Sequence, residues 1–301
     1  MDLTDEMVEG FRVPTGATVH IREWDTKWDV PQGMEELNKD VLKQQAADFL
    51  ARRVHELAGL QEVLWVDSRY SLLLIFQGPD ASGKDSTIRH VTSGMNPAGV
   101  RVVSFKEPSR EELKRNYLWR YVVALPEQGY IGVFNRSYYE EVTVVRVNPQ
   151  LLKLRAMPQR APDATFWAER YEDINFLERQ FVRNGTVVLK FYLHISKDEQ
   201  KKRIWQRLED QDKHWKFSPS DLAARERWDD YQRAYEQAIT NTSTHGAPWW
   251  IMPADRKWAM RALVAQVILM SMRRLDLRYP ALDDEKREAI KLALKELRNE
   301  K

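Results

Sequence analysis

Apolar positions along the chain follow two different periods, and the periods alternate. Between 35 and 58, Leu42, Ala46, Phe49, Leu50, Val54 and Leu57 recur at helical spacing, and Gly59 is placed to end that helix. Ser71–Gln77 is instead a continuous run, Leu72-Leu73-Leu74-Ile75-Phe76, which suits a central strand covered on both faces. Asn96-Pro97-Ala98-Gly99 turns into a second strand over 100–105. Ser109-x-x-Glu112 has the form of a capping box and predicts a helix to about Val123, broken by Pro126 and Gly129. The third strand is predicted over 130–134, the fourth over 186–195 and a short fifth over 248–253. A helix over 163–184 stops at Gly185, and a basic one opens at a second capping box, Ser196-x-x-Glu199. Another starts at Ser218-Pro219, with proline at its first position, and runs to about Ile239. A long amphipathic helix through Leu275 and a charged one over 285–297 complete the pattern.

Five strands alternating with helices predict an α/β fold, a three-layer sandwich built on a five-stranded parallel sheet. Residues 1–34, with Pro14, Gly16, Pro31 and Gly33 among polar residues, read as an N-terminal arm. Residues 35–278 read as the catalytic domain, with a helical lid at about 200–222, and 279–301 as a C-terminal helical tail. Lys plus Arg total 47 against 45 Asp plus Glu, so any basic surface is local and composition makes no case for nucleic acid as a partner. The absence of cysteine excludes disulfides, thiolate nucleophiles and Cys-ligated zinc, and fits a reducing compartment. The start Met1-Asp2-Leu3-Thr4-Asp5-Glu6 has the wrong charge for a signal or transit peptide, and the longest apolar runs are too short to span a bilayer. A cytoplasmic protein without a membrane partner is expected.

The first strand runs into Gly78-Pro79-Asp80-Ala81-Ser82-Gly83-Lys84-Asp85-Ser86, a strand–loop–helix context in which a phosphate-binding loop makes physical sense. Amides of Gly78, Ala81, Ser82, Gly83, Lys84 and Ser86 are placed to point at one spot, where the helix dipole adds positive charge, and Lys84 supplies a cation. Asp85 stands where a Ser or Thr would put a hydroxyl on Mg²⁺; a carboxylate is the stronger ligand. Asp80 adds a second acid, and two acids beside a polyanion require a divalent ion between them, Mg²⁺ or alternatively Mn²⁺. The competing reading of Asp85 is a first-turn charge offsetting the dipole.

In such sheets ligands sit beyond the carboxyl ends of the strands, and four strand ends here carry polar chemistry: 78–84, Phe105-Lys106, Asn135-Arg136 and 196–203. Arg136 is placed to fork onto phosphate oxygens of a second substrate; a salt bridge to Glu140 one turn on competes with that role. Glu140 is placed to orient metal or water, and Glu141 reads as a solvated helix charge. On the basic helix, Arg203 and Arg207 share a face, with Lys202, Lys213 and Lys216 extending the strip; a plain solvated face is the alternative. Lys106, Arg110, Lys114, Arg115 and Arg120 form a second strip. Together these exceed the needs of one triphosphate and suggest a longer anion. Phe105 and Trp119 are placed to stack a base, unless they belong to the core. No general base is needed if the acceptor is itself a largely ionised phosphate.

The loop 78–85, Phe134-Asn135-Arg136-Ser137-Tyr138-Tyr139-Glu140, the run 196–203, Trp215-Lys216-Phe217-Ser218 and Ala247-Pro248-Trp249 together resemble the polyphosphate kinase 2 family, over roughly 44–275. The resemblance implies a P-loop kinase-like fold, magnesium, and transfer of the terminal phosphate of inorganic polyphosphate to a nucleoside mono- or diphosphate, in a homo-oligomer (dimer or tetramer). It places the Walker A acids and lysine on Asp80, Lys84 and Asp85, the Walker B-like arginine on Arg136 and the lid arginine on Arg203. From the residues themselves, metal ligation is expected of Asp80, Asp85 and Glu140, and nucleotide contacts of Phe105, Lys106, Arg120, Asn135, Arg136 and Glu140. Asn135 with Glu140 resembles the subgroup that takes AMP through ADP to ATP, and GMP and GDP stand as alternative acceptors. Gly78-Pro79 departs from the Ala-Met common there. An ATP-dependent nucleoside monophosphate kinase and a non-catalytic polyanion-binding module are the alternatives.

Overall fold

Every residue of β1 (Ser71–Gln77) is buried, as a strand with helices on both sides requires. Its alternation divides the interior in two: Leu72, Leu74 and Phe76 enter one hydrophobic core, Leu73 and Ile75 the other. This computed structural model describes residues 3–28, 38–158 and 160–300. In it β1 is joined by β2 (Val100–Ser104), β3 (Ile131–Asn135), β4 (Thr186–His194) and β5 (Trp249–Pro253). All pairings are parallel, in the order β2-β3-β1-β4-β5.

The helices are α1 (Asp5–Glu9), α2 (Lys39–Asp67), α3 (Lys84–Val91), α4 (Trp119–Val122), α5 (Val144–Val147) and α6 (Ala164–Arg183). They continue with α7 (Lys197–Glu209), α8 (Pro219–Glu226), α9 (Trp228–Thr242), α10 (Lys257–Arg273) and α11 (Asp284–Asn299). Side chains of α1, α2, α3 and α10 fill one core, and those of α4, α5, α6 and α9 the other, giving the three-layer α/β/α sandwich.

Local signals and tertiary packing disagree at identifiable places. Gly59 does not end the first long helix: α2 continues to Asp67 and closes at Ser68, whose φ of 53° is left-handed. Leu57, Gln61 and Leu64 are buried across that glycine, so packing outweighs its intrinsic penalty. The expected start at Glu35, with Pro31 and Gly33, lies outside the described residues. The Ser109 capping box forms both its bonds, Ser109 N–H to Glu112 Oε2 (2.7 Å) and Glu112 N–H to Ser109 Oγ (3.2 Å). Only one 3-10 turn follows, because 112–114 has no buried residue to hold a longer helix. The helix expected from Ser218 to Ile239 divides at Arg227 into α8 and α9.

The N-terminal segment is tied to the far end of the chain. Val13 N–H donates to Trp249 O (2.8 Å) and Ile251 N–H to Phe11 O (2.9 Å), so 11–13 run antiparallel along the outer edge of β5. Leu3 and Val8 are buried in one core, and Val13, Val19 and Ile21 in the other.

Candidate active site

Because β1 and β3 are adjacent, the residues that leave their carboxyl ends meet. The loop after β1 turns sharply: φ is 141° at Gly78, 63° at Ala81 and 108° at Gly83. A Cβ on Gly78 would stand 2.9 Å from Leu193 O, so glycine is required by both conformation and space. The turn folds Lys84 back across its own loop, where Nζ donates to Gly78 O (2.7 Å) and Pro79 O (3.1 Å). Lys84 is only 8% exposed, and burial together with the nearby Arg136 charge pushes its pKa down to about 8.

From β3 comes Arg136, with a left-handed backbone (φ 65°) that costs a non-glycine residue about 1–2 kcal/mol. Its N–H is held by Phe76 O (3.0 Å). The guanidinium donates to Asp80 Oδ1 (2.5 Å) and to Glu140 Oε2 (3.2 Å), so the expected Glu140 pair forms and a second one joins it. Glu140 and then Asp80 hold the Arg136 pKa above the ordinary guanidinium value. Burial would raise Asp80, but Arg136 and Lys84 outweigh it and keep the carboxyl below its usual range. Gln77 Nε2 fixes the other Glu140 oxygen at 2.9 Å. Asn135 Nδ2 donates to Asp85 Oδ1 (2.5 Å) and Ser104 Oγ (3.3 Å), while Asn135 Oδ1 is buried without a partner. Lys84, Asp80, Asp85, Asn135, Arg136 and Glu140 thus occupy one place.

Below them lies an ion pair that the apolar look of the fourth strand concealed. Lys190 Nζ, fully buried in β4, donates to Glu178 Oε2 (2.6 Å), Tyr139 OH (2.9 Å) and Thr242 O (2.7 Å). Tyr138 and Tyr139 both donate to Glu178 Oε1, which pins the segment directly after Arg136. Glu141 is a correction. Instead of being solvated it is 3% exposed, with Arg155 at 2.5 Å and Arg170 at 3.4 Å.

The basic helix sorts differently from its sequence. Arg203 does not face the cleft as a lid arginine. It donates to Ala81 O (3.1 Å) and Ser82 O (2.9 Å), to Ala254 O (2.7 Å) and Asp255 O (3.0 Å), and to Glu199 (2.8 Å). All five N–H groups are engaged, so Arg203 props the loop from behind. Gln200 Nε2 adds a bond to Asp80 O (3.0 Å). Arg207 pairs with Asp221 (2.8 Å) and Lys216 O (3.1 Å), and its charge reaches Asp80. Lys213 pairs with Asp210, and Lys202 is exposed, 4.0 Å from Glu199. Ser86 Oγ accepts from Arg261 of α10.

On the other strip, Phe105 is core, packed on Tyr121 (4.5 Å between centroids) and Phe134 (4.9 Å), so it is no base platform. Arg120 lies over Phe105 and donates to Lys106 O (3.0 Å). No sequence pattern singled out Asp221, Tyr231 or Tyr235. Burial and then the Asp80 charge raise the Asp221 pKa, and burial and then Glu140 raise Tyr235 well above a free tyrosine. Arg261 had a signal, a lone cation in the apolar run 259–270. Among the described residues no three His, Cys, Asp or Glu side chains converge as a ready metal cage.

Known proteins bear on this arrangement directly. The family model for polyphosphate kinase 2 matches residues 37–279. The chain is 45% identical over 281 residues to an ADP-polyphosphate phosphotransferase of Rhodopseudomonas palustris, covering 93% of this chain and 94% of the relative. It is 44% identical over 238 residues to an AMP/ADP-polyphosphate phosphotransferase of Meiothermus ruber, covering 79% and 85%. The crystal structure of polyphosphate kinase 2 from Arthrobacter aurescens superposes with a TM-score of 0.83 at 37% identity, covering 95% of this chain and 96% of that one. With matches spanning most of its length, the chain belongs to the polyphosphate kinase 2 family.

Proposed function

We propose that this chain transfers the terminal phosphate of inorganic polyphosphate to nucleoside mono- and diphosphates, carrying AMP through ADP to ATP. One observation carries the reading: Arg136 from β3 sits between Asp80 of the loop and Glu140, beside the buried Lys84. Phosphoryl transfer demands positioning and charge neutralisation more than covalent chemistry. Loop amides and Lys84 hold the phosphates of one substrate, and Arg136, charged at any working pH, presents those of the other. Asn135 tied to Asp85, and Glu140 tied to Gln77, fix the two positions on which the mono- and diphosphate assignment rests.

The oxygen donors Asp80, Asp85 and Glu140, with the unpartnered Asn135 amide oxygen beside Asp85, suit a hard cation. Mg²⁺ usually takes one or two carboxylates and completes its shell with water and substrate phosphates, so a full protein cage is not needed. Bound there, the ion would neutralise charge on the phosphates being exchanged. The same reading takes the protein as a cytoplasmic homo-oligomer, in keeping with the absence of cysteine in its sequence.

The test is ATP formation from long-chain polyphosphate and AMP or ADP, with Mg²⁺ and no added ATP. Transfer only when ATP is the donor would favour a nucleoside monophosphate kinase, and binding without turnover would sink the enzymatic reading.

A further inference from the structure

One turn beyond the loop, cations from α3 and α10 meet across a seam. Ser86, Arg89 and His90 are three and four residues apart and share one stripe of α3. Lys257 and Arg261 are four apart near the start of α10, and Met260 beside them packs on the loop, its Cε 3.3 Å from where a Cβ on Gly83 would stand. The Arg261 guanidinium crosses the seam and donates to Ser86 Oγ and to His90 Nε2 (3.1 Å). His90 Nδ1 lies 2.7 Å from Ser86 O, so the ring donates there and turns the Nε2 lone pair to Arg261, the tautomer of a neutral imidazole. Arg261 Nε is buried and has no acceptor.

A hydroxyl and a neutral ring cannot cancel the charge of a guanidinium. Among the described residues, neither Lys257 nor Arg89 has an ion-pair partner. Glu199 is the acid whose charge reaches Lys257, and it is already bonded to Arg203 at 2.8 Å. Partial burial and then the charges of Arg203 and Arg261 push the Lys257 pKa down to about 8. Burial and then Arg89 and Arg203 lower that of Arg261 as well. The first turn of α10 holds no acid and sets Lys257 at the positive end of the helix dipole, where a cation is disfavoured. Repelling cations beside a phosphate loop are relieved by an anion. A nucleoside would meet charge here where it needs an apolar or stacking surface, whereas a further run of phosphates would meet its counter-charge.

We infer that Arg261, with Lys257 and Arg89 beside it, forms a second anion subsite that holds donor phosphates lying beyond those gripped by the loop, and so sets how long a donor must be. This rests on the polyphosphate reading above and gives donor length to named residues outside the loop. The Ser86 contact keeps the guanidinium against the first turn of α3, so the two subsites are contiguous. A short donor reaches only the loop amides and Lys84; a longer one gains the seam.

Binding measured with Mg²⁺ but without a nucleotide acceptor tests this, because no transfer is then possible. Calorimetric titration compares tripolyphosphate with long-chain polyphosphate for wild type, Arg261→Met and Lys257→Met. Each variant should lose about tenfold in affinity for the long chain, the equivalent of one charged hydrogen bond, and keep the wild-type affinity for tripolyphosphate. Taking each variant as a ratio to wild type cancels the many registers that a long chain presents. Arg261→Lys keeps the charge and should recover most of the loss. Lys257 is exposed, so Lys257→Met reports on the seam even if losing the Ser86 contact disturbs folding in the Arg261 variant. Arg287→Met, which removes a cation from exposed α11, should change neither affinity, separating the seam from a mere drop in net charge. Equal losses for both donors would overturn the inference by making these cations part of the loop site. Unchanged long-chain affinity would overturn it too, leaving them a solvated face. A wild type that binds neither donor would remove the polyphosphate reading and the subsite with it, a result distinct from either of those.

Discussion

Lys84 offers a test in which activity and stability move in opposite directions. Its folded-state pKa of about 8 lies well under the ordinary lysine value of 10.5, chiefly because burial disfavours the ammonium. A polyanion reverses that environment, so anion capture selects the protonated form. At pH 7 about nine-tenths of the free protein carries the proton, and at pH 9 about one-tenth. The kcat/KM for polyphosphate should then fall about tenfold between those values, since that ratio reports ionisations of the free enzyme. Fold stability follows the opposite sign. Between about pH 8 and 10.5 the unfolded chain binds more protons at this position than the folded one, so raising pH through that window adds stability. The full span is worth about 3 kcal/mol at about 1.4 kcal/mol per pKa unit. Lys84→Met removes the titration, so the difference in urea midpoint between wild type and variant isolates the single group. Turnover by the variant should be lost throughout. A wild-type kcat/KM that stays level to pH 10, or a wild-type-minus-Met stability difference that does not change with pH, would refute the argument.

Other expectations follow from named contacts. Arg203→Ala should strip four carbonyls of their donor, lower stability by about 2–4 kcal/mol and speed amide exchange over 78–83; unchanged exchange there would remove its role as a prop. Glu178→Gln leaves Lys190 buried without its counter-charge and should cost about 3–5 kcal/mol in denaturant melts, whereas a surface pair such as Arg22–Asp229 should cost under about 1 kcal/mol. Glu140→Asn frees Gln77 and one side of Arg136, and should reduce use of AMP more than of ADP; equal losses in kcat/KM would discard the subgroup argument.

The parallel sheet was legible because each of its strands is either a dense apolar run or a short one bounded by turn residues. The loop 78–84 was legible because the glycine spacing encodes a backbone conformation directly. What the sequence hid depends on neighbours far away. Glu141 follows Glu140 and looks equally free; Arg155 and Arg170 arrive from segments no local pattern links to it. Arg203 and Arg207 share a helical face by spacing, yet the loop and the residues after β5 claim one while Asp221 of α8 claims the other. Lys190 interrupts an apolar strand by one residue, and only the fold reveals that Glu178 waits opposite. Ser196 does cap Glu199 N–H (3.1 Å), but Glu199 turns to Arg203 instead of closing the box, a competition invisible to a motif.

The strap formed by 11–13 along β5 also sets a schedule for synthesis. These residues leave the ribosome early, whereas the strand that receives their hydrogen bonds is made roughly 240 residues later. At about 5–20 residues per second that is a wait of some tens of seconds. Through it Val8, Val13, Val19 and Ile21 have no finished interior to enter. The outer strand correspondingly emerges with its partner already in attendance, so the newborn sheet never offers a bare margin on that side to a neighbouring chain.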